Sequence, residues 1–96
     1  MDNRVYLTFL YDYYGALLTT KQKIYFENYY FNNLTLAEIG ENNGISRNAV
    51  HKQLKEIILK LEMYENKLEL YKKSKQIEKL IQNLDSSLQE KIKDII

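Results

Sequence analysis

The chain contains no proline and only three glycines, and two of those, Gly40 and Gly44, stand four residues apart within LTLAEIGENNGISRNAVHKQLK, residues 34–55. Glycine inside a helix costs about 1 kcal/mol relative to alanine, and proline about 3. A sequence with so few breakers is free to be helical through most of its length, and the one place where they cluster reads as a turn between helices. The flanking residues agree. Thr35 followed by Glu38 is a capping-box pattern that opens a short helix. The Asn and Gly of ENNG (Glu41 to Gly44) tolerate the left-handed conformation that closes one, and Ser46 is a good cap for the next. A short helix, a tight turn and a second helix make a helix-turn-helix. Its two helices cross closely, which calls for a small residue at Gly40, and its turn calls for positive φ at Gly44. Ile39, Ile45, Ala49, Val50 and Leu54 supply the apolar interior.

Helical spacing of Tyr6, Phe9, Leu10, Tyr13 and Tyr14 predicts a first helix over Val5–Tyr14, ended by Gly15. Thr19 and Gln22 form another capping box, opening a helix with Ile24, Tyr25, Asn28, Tyr29 and Phe31 inward and an end at Asn32 and Asn33. From Val50 the apolar residues run Val50, Leu54, Ile57, Leu61, Tyr64, Leu68, Tyr71, alternating steps of four and three. That is a sustained heptad. YKKSKQ (Tyr71 to Gln76) is its weakest point. Ile77, Leu80, Ile81 and Leu84 resume the stripe, and Asp85, Ser86 and Ser87 are cap candidates for a last helix reaching Ile96. The expected architecture is all-α: a helix-turn-helix domain over 1–60 and a C-terminal helical extension over 61–96. The heptad is able to pair with a second chain or to fold against the N-terminal helices. From Leu61 onward little other chain is at hand to cover it. A homodimer is therefore expected through Leu61, Tyr64, Leu68 and Tyr71, helped by residues 77–96.

The formal net charge is only +1, but its distribution is uneven. Residues 1–45 carry three basic against five acidic side chains, residues 46–60 carry Arg47, Lys52, Lys55 and Lys60 against Glu56 alone, and residues 61–96 carry seven of each sign. The basic concentration thus falls on the second helix of the motif. Its outward residues are expected to be Ser46, Arg47, Asn48, His51, Lys52 and Lys55, facing double-stranded DNA. Arg47 suits bidentate donation to guanine and Asn48 suits adenine. Lys52 and Lys55 suit phosphates, and His51 reaches either. The nine tyrosines have the helical spacing of packed residues rather than of a base-stacking platform. With no cysteine and a single histidine, zinc-thiolate and multi-histidine sites are excluded, and no cofactor is expected. No nucleophile–base set or phosphate-cradling loop suggests an enzyme. No run approaches the roughly 20 apolar residues of a membrane helix, and the N-terminus lacks a signal-like pattern, so a cytoplasmic location with no membrane partner is expected.

LTTKQKIYFENYYFNNLTLAEIGENNGISRNAVHKQLK resembles the fourth conserved region of bacterial sigma factors, which binds the −35 promoter element. FLYDYYGALLTTKQKIYFENYY (Phe9 to Tyr30), ISRNAV (Ile45 to Val50) and LEMYENKLELYKK (Leu61 to Lys73) are similar to segments of the YlxM family of small bacterial helix-turn-helix proteins. The likeness covers about residues 4–73. It implies a sigma-region-4-like DNA-binding homodimer whose gene lies beside those of the signal recognition particle GTPases, an association rather than a mechanism. One departure is Gly40, where the family carries alanine. Two functional readings are open at this point: a sequence-specific DNA-binding regulator, or an adaptor that binds protein or RNA in the signal recognition particle pathway.

Overall fold

A computed structural model describes residues 3–96. Six helices succeed one another: α1 (Arg4–Tyr14), α2 (Thr20–Tyr30), α3 (Leu36–Asn43), α4 (Arg47–Leu68), α5 (Leu70–Ile81) and α6 (Ser86–Lys93), with a 3₁₀ turn at Gly15–Leu17 after α1. Among the described residues there is no strand. Each of five helix starts has a local chemical reason. Asn3 caps α1, and Thr19 and Thr35 open α2 and α3 with complete capping boxes, their hydroxyls accepting from Gln22 and Glu38 amides. Ser46 caps α4 and Asp85 caps α6, each accepting the amide three residues on. These side chains satisfy donors that a helix cannot satisfy internally.

Helix α4 is the spine. Its 22 residues run about 33 Å at 1.5 Å per residue, and α1, α2 and α3 all pack on it. Val50, Leu54, Ile57, Ile58 and Leu61 form its inner stripe and meet Leu7, Leu10 and Tyr14 of α1, Leu18, Tyr25, Phe26 and Tyr30 of the α2 region, and Ile39 of α3. Aromatic pairs fix the orientation of these helices: Tyr11 stacks on Phe26 at 4.4 Å and Tyr14 lies 5.9 Å from Tyr64. The tyrosines thus sit mostly in packing contacts. The inner face of α2 differs from the expected one. Tyr25, Phe26 and Tyr30 are buried, whereas Ile24 and Phe31 are exposed, because the inward ring is Phe26, which stacks on Tyr11 of α1 and lies 4.5 Å from Tyr30.

The heptad reading needs correction. α4 runs on past residue 60 as expected, to Leu68, and the break falls at Glu69, whose φ is 55°, two residues before YKKSKQ. YKKSKQ lies inside α5. The break turns α5 back onto α1, where Tyr71 meets Tyr6 at 5.2 Å and Phe9 at 5.6 Å. Leu61 is fully buried by its own chain, and Tyr64 and Tyr71 are packed against its core. Of the four residues assigned to a dimer, only Leu68 is exposed, at 45%. The stripe was expected to lack a cover, and α1 is that cover.

Glu65 holds this turn together. Its carboxylate, buried at 8% exposure, accepts the Tyr14 hydroxyl at 2.6 Å and the amides of Tyr71 and Lys72 at 3.1 Å each. The Leu70 amide in turn donates to the Tyr14 hydroxyl oxygen at 3.1 Å. A residue near the end of α4 thereby caps the first turn of α5, with α1 closing the network. Burial, reinforced by the hydrogen bond to Glu65, pushes the Tyr14 hydroxyl up to about 12. Burial and the hydrogen bond to Glu27 push Tyr11 up to about 12 as well. Both phenols titrate at about 10 in the unfolded chain. Their contribution to stability is therefore complete below pH 10 and is lost as pH rises toward 12. Urea midpoints measured across that window are expected to fall in the wild type and to fall less in Tyr14→Phe.

Candidate nucleic-acid interface

The turn joining α3 to α4 is built around two glycines with different duties. Gly44 has φ 69°, and its amide donates to the carbonyl of Gly40. That carbonyl also accepts from Ile45 at 2.9 Å, and the Asn43 side chain donates to the Ile39 carbonyl at 2.8 Å. The end of α3 is thus closed by its own turn. A methyl group at Gly40 would stand 2.5 Å from the Ile45 carbonyl oxygen and 3.2 Å from the Ser46 carbonyl carbon, both backbone atoms with little freedom to move. At Gly44 a methyl meets nothing within 4 Å, so only the left-handed backbone objects. Gly40→Ala is expected to destabilise by about 1–2 kcal/mol, because overpacking against backbone, about 2–3 kcal/mol, exceeds the gain of about 1 kcal/mol in helix propensity. Gly44→Ala is expected to cost about 1 kcal/mol from strain alone. Urea unfolding of both variants checks the size and origin of these losses. To accept an alanine at residue 40, α3 and the entry to α4 must stand further apart.

Beyond the turn, Ser46 uses its hydroxyl as the cap of α4, accepting from Ala49 at 3.1 Å. At 100° per residue, Asn48 and Lys52 project directly away from the buried stripe. Arg47, His51 and Lys55 form a second row along its flank. Arg47, Asn48, Lys52 and Lys55 are exposed and His51 is half-buried. None of the three cations is in an ion pair among the described residues, where the two ion pairs join Lys72 to Glu69 and Lys75 to Glu78. Lys60, the fourth basic residue of the segment, does not join them: its ammonium reaches the Gln22 side chain of α2 at 3.4 Å. Past Lys55 the outer face carries Glu56, Leu59, Glu62 and Met63, with Leu59 65% exposed. The cationic surface is therefore confined to the first three turns of α4.

Arg47 has company that the sequence did not announce. It lines one groove, about 390 Å³ in volume, with Arg4, Tyr29 and the first turn of α3 at Thr35–Ala37. Arg4 and Arg47 lie more than forty positions apart, so no local pattern linked them. Glu38, at the same end of α3, turns its carboxylate back to the Thr35 amide at 3.0 Å. That bond, with the Thr35 hydroxyl's, holds its carboxyl below the usual range.

The family model for "Putative helix-turn-helix protein, YlxM / p13 like" matches residues 1–95. The chain belongs to the UPF0122 family. UPF0122 proteins of Caldanaerobacter subterraneus and Clostridium botulinum are 47% and 44% identical to it, over 86% and 95% of this chain and 71% and 84% of their own lengths. A UPF0122 protein of a Thermoanaerobacter species is 47% identical over 79% of this chain, which spans 65% of that relative. The family description agrees with the α3–turn–α4 geometry, and the architecture of this UPF0122 chain is all-α with a helix-turn-helix. No described helix is long and apolar enough to cross a membrane.

Proposed function

We propose that this UPF0122 chain binds double-stranded DNA sequence-specifically, as a regulator, by laying the start of α4 in the major groove. The observation that carries this reading is the exposed face of Asn48, Lys52 and Lys55. Nothing in the described chain covers it and no acidic side chain pairs with it. The rigid turn at Gly40–Gly44 supports it, because a recognition helix must be held at a fixed angle to the helix that crosses the backbone. Asn48, nearest the helix start and pointing outward, offers the amide pair that matches adenine. Lys52 and Lys55 supply phosphate contacts, which set affinity without sequence information.

Selection of bound sequences from a pool of random duplexes tests the reading. A defined consensus is expected, and Asn48→Ala is expected to weaken the preferred site by about 1–3 kcal/mol, roughly 5- to 150-fold, while relaxing one base position. Lys55→Ala is expected to weaken all sequences alike. A palindromic consensus would mean two chains per site; a single half-site would mean one. Failure to retain any duplex would overturn the reading in favour of an adaptor binding protein or RNA, in the signal recognition particle pathway or elsewhere.

A further inference from the structure

The Arg4–Arg47 groove contains more positive charge than the fold requires. Arg4 opens α1 and reaches across to the end of α2, where its Nη1 donates to the carbonyls of Tyr30 at 3.0 Å and Tyr29 at 3.3 Å. Its guanidinium carbon lies 4.9 Å from the Tyr30 ring centroid and 5.3 Å from that of Tyr29. Those carbonyls are orphan acceptors at a helix end, so one nitrogen of Arg4 has a structural use. A guanidinium carries five N–H donors on three nitrogens. Nη2 and Nε of Arg4 make no hydrogen bond among the described residues. Arg47 makes none at all there and stands on the same groove. No acidic residue lines it. A helix cap alone would not need a second guanidinium on the same groove, and two unneutralised cations on one concavity repel each other until an anion arrives.

We infer that Arg4 and Arg47 together grip one phosphodiester of the bound duplex, with Arg4 as a preset, aromatic-backed donor and Arg47 as the mobile one. This rests on the DNA-binding reading and sharpens it in one respect: Arg47 is assigned to the backbone rather than to a guanine edge. Arginine forks match phosphate oxygens in pairs. Arg4 is already ordered by two carbonyls and two rings, so it loses little freedom on binding. The groove lies where the strand must pass, between the first turn of α3 and the first turn of α4, because the first helix of such a motif crosses the backbone while the second enters the groove. The contact fixes register on the duplex without selecting bases.

The test is ethylation interference on the selected duplex, with salt-dependent affinities for wild type, Arg4→Gln and Arg47→Ala. One phosphate whose ethylation weakens the wild type is expected to become neutral in both variants, and each salt slope is expected to become shallower by about 0.9. Both variants should lose affinity equally for all sequences. Thermal melting without DNA separates a lost α2 cap in Arg4→Gln from a lost phosphate contact. Should that variant not fold, Arg47→Ala, which removes no hydrogen bond of the described chain, carries the test alone. Unchanged slopes and interference patterns in a wild type that binds duplex would overturn the inference and leave the DNA-binding reading standing. Relaxed preference at a guanine in Arg47→Ala would overturn it too. So would micromolar binding of inorganic phosphate that is lost in Arg4→Gln while duplex binding is unchanged, which would assign the groove to a free anion. A wild type that binds no duplex sinks both.

Discussion

Glu65→Ala is expected to be the most damaging truncation of a polar side chain in the protein, lowering stability by about 3 kcal/mol. The carboxylate accepts from the Tyr14 hydroxyl and from the Tyr71 and Lys72 amides. Truncation strands all three at once. Each unsatisfied buried donor costs about 1–3 kcal/mol, and water entering the partly open end of the site recovers some of that. For a domain of this size 1 kcal/mol corresponds to about 4–8 °C, so the melting midpoint should fall by roughly 12–24 °C. Glu65→Gln keeps one accepting oxygen but presents an amide to donors, and should lose about half as much. Tyr14→Phe leaves Glu65 its two amides and strands only the Leu70 amide, so it should lose about 1–2 kcal/mol. Circular-dichroism melts establish the order. Hydrogen exchange should show the Tyr71 and Lys72 amides opening first in Glu65→Ala, since α5 then loses its cap and its hold on α1. A Glu65→Ala midpoint within about 3 °C of wild type would contradict this account of the α4–α5 turn.

The largest functional effect is expected from reversing two charges on α4. Lys52→Glu with Lys55→Glu removes two phosphate contacts and sets two carboxylates against the strand, and duplex affinity should fall by about 100-fold or more near 0.1 M salt. Both side chains are exposed and unpaired among the described residues, so stability should change by less than about 1 kcal/mol. The same change in net charge made on α6, Lys91→Glu with Lys93→Glu, should cost only a few-fold. Equal losses from the two pairs would mean that overall charge, not the α4 surface, governs binding.

What the sequence made legible is the part of the fold that short-range rules control. The capping boxes at Thr19–Gln22 and Thr35–Glu38, the Gly44 turn and the Ser46 cap each involve residues no more than four apart, and all are present. The inward run of Val50, Leu54, Ile57 and Leu61 reflects helical period alone. Three features depend on distant partners and left no local trace. The break at Glu69, a non-glycine residue in the left-handed region, exists because Tyr14 and Glu65 cap the first turn of α5, and Tyr14 is 51 residues from Glu65. The inward placement of Phe26 goes with its stacking on Tyr11, a residue of another helix. The placement of Arg4 and Arg47 on one groove arises from where α1 starts relative to α3 and α4. That Arg47, Asn48, Lys52 and Lys55 are exposed at the start of α4 was legible from helical spacing, but not that Arg47 stands on a groove with Arg4.

The most direct test of the central claim is the affinity of the unmodified protein for a selected duplex, measured across about 50–200 mM salt. If the start of α4 and the groove beside it engage the backbone, log affinity should fall linearly with log salt. The slope should be near −2.7, from one phosphate shared by Arg4 and Arg47 and one each for Lys52 and Lys55, at about −0.9 per phosphate. A flat dependence, or affinity no greater for the selected duplex than for unrelated sequence, would contradict it.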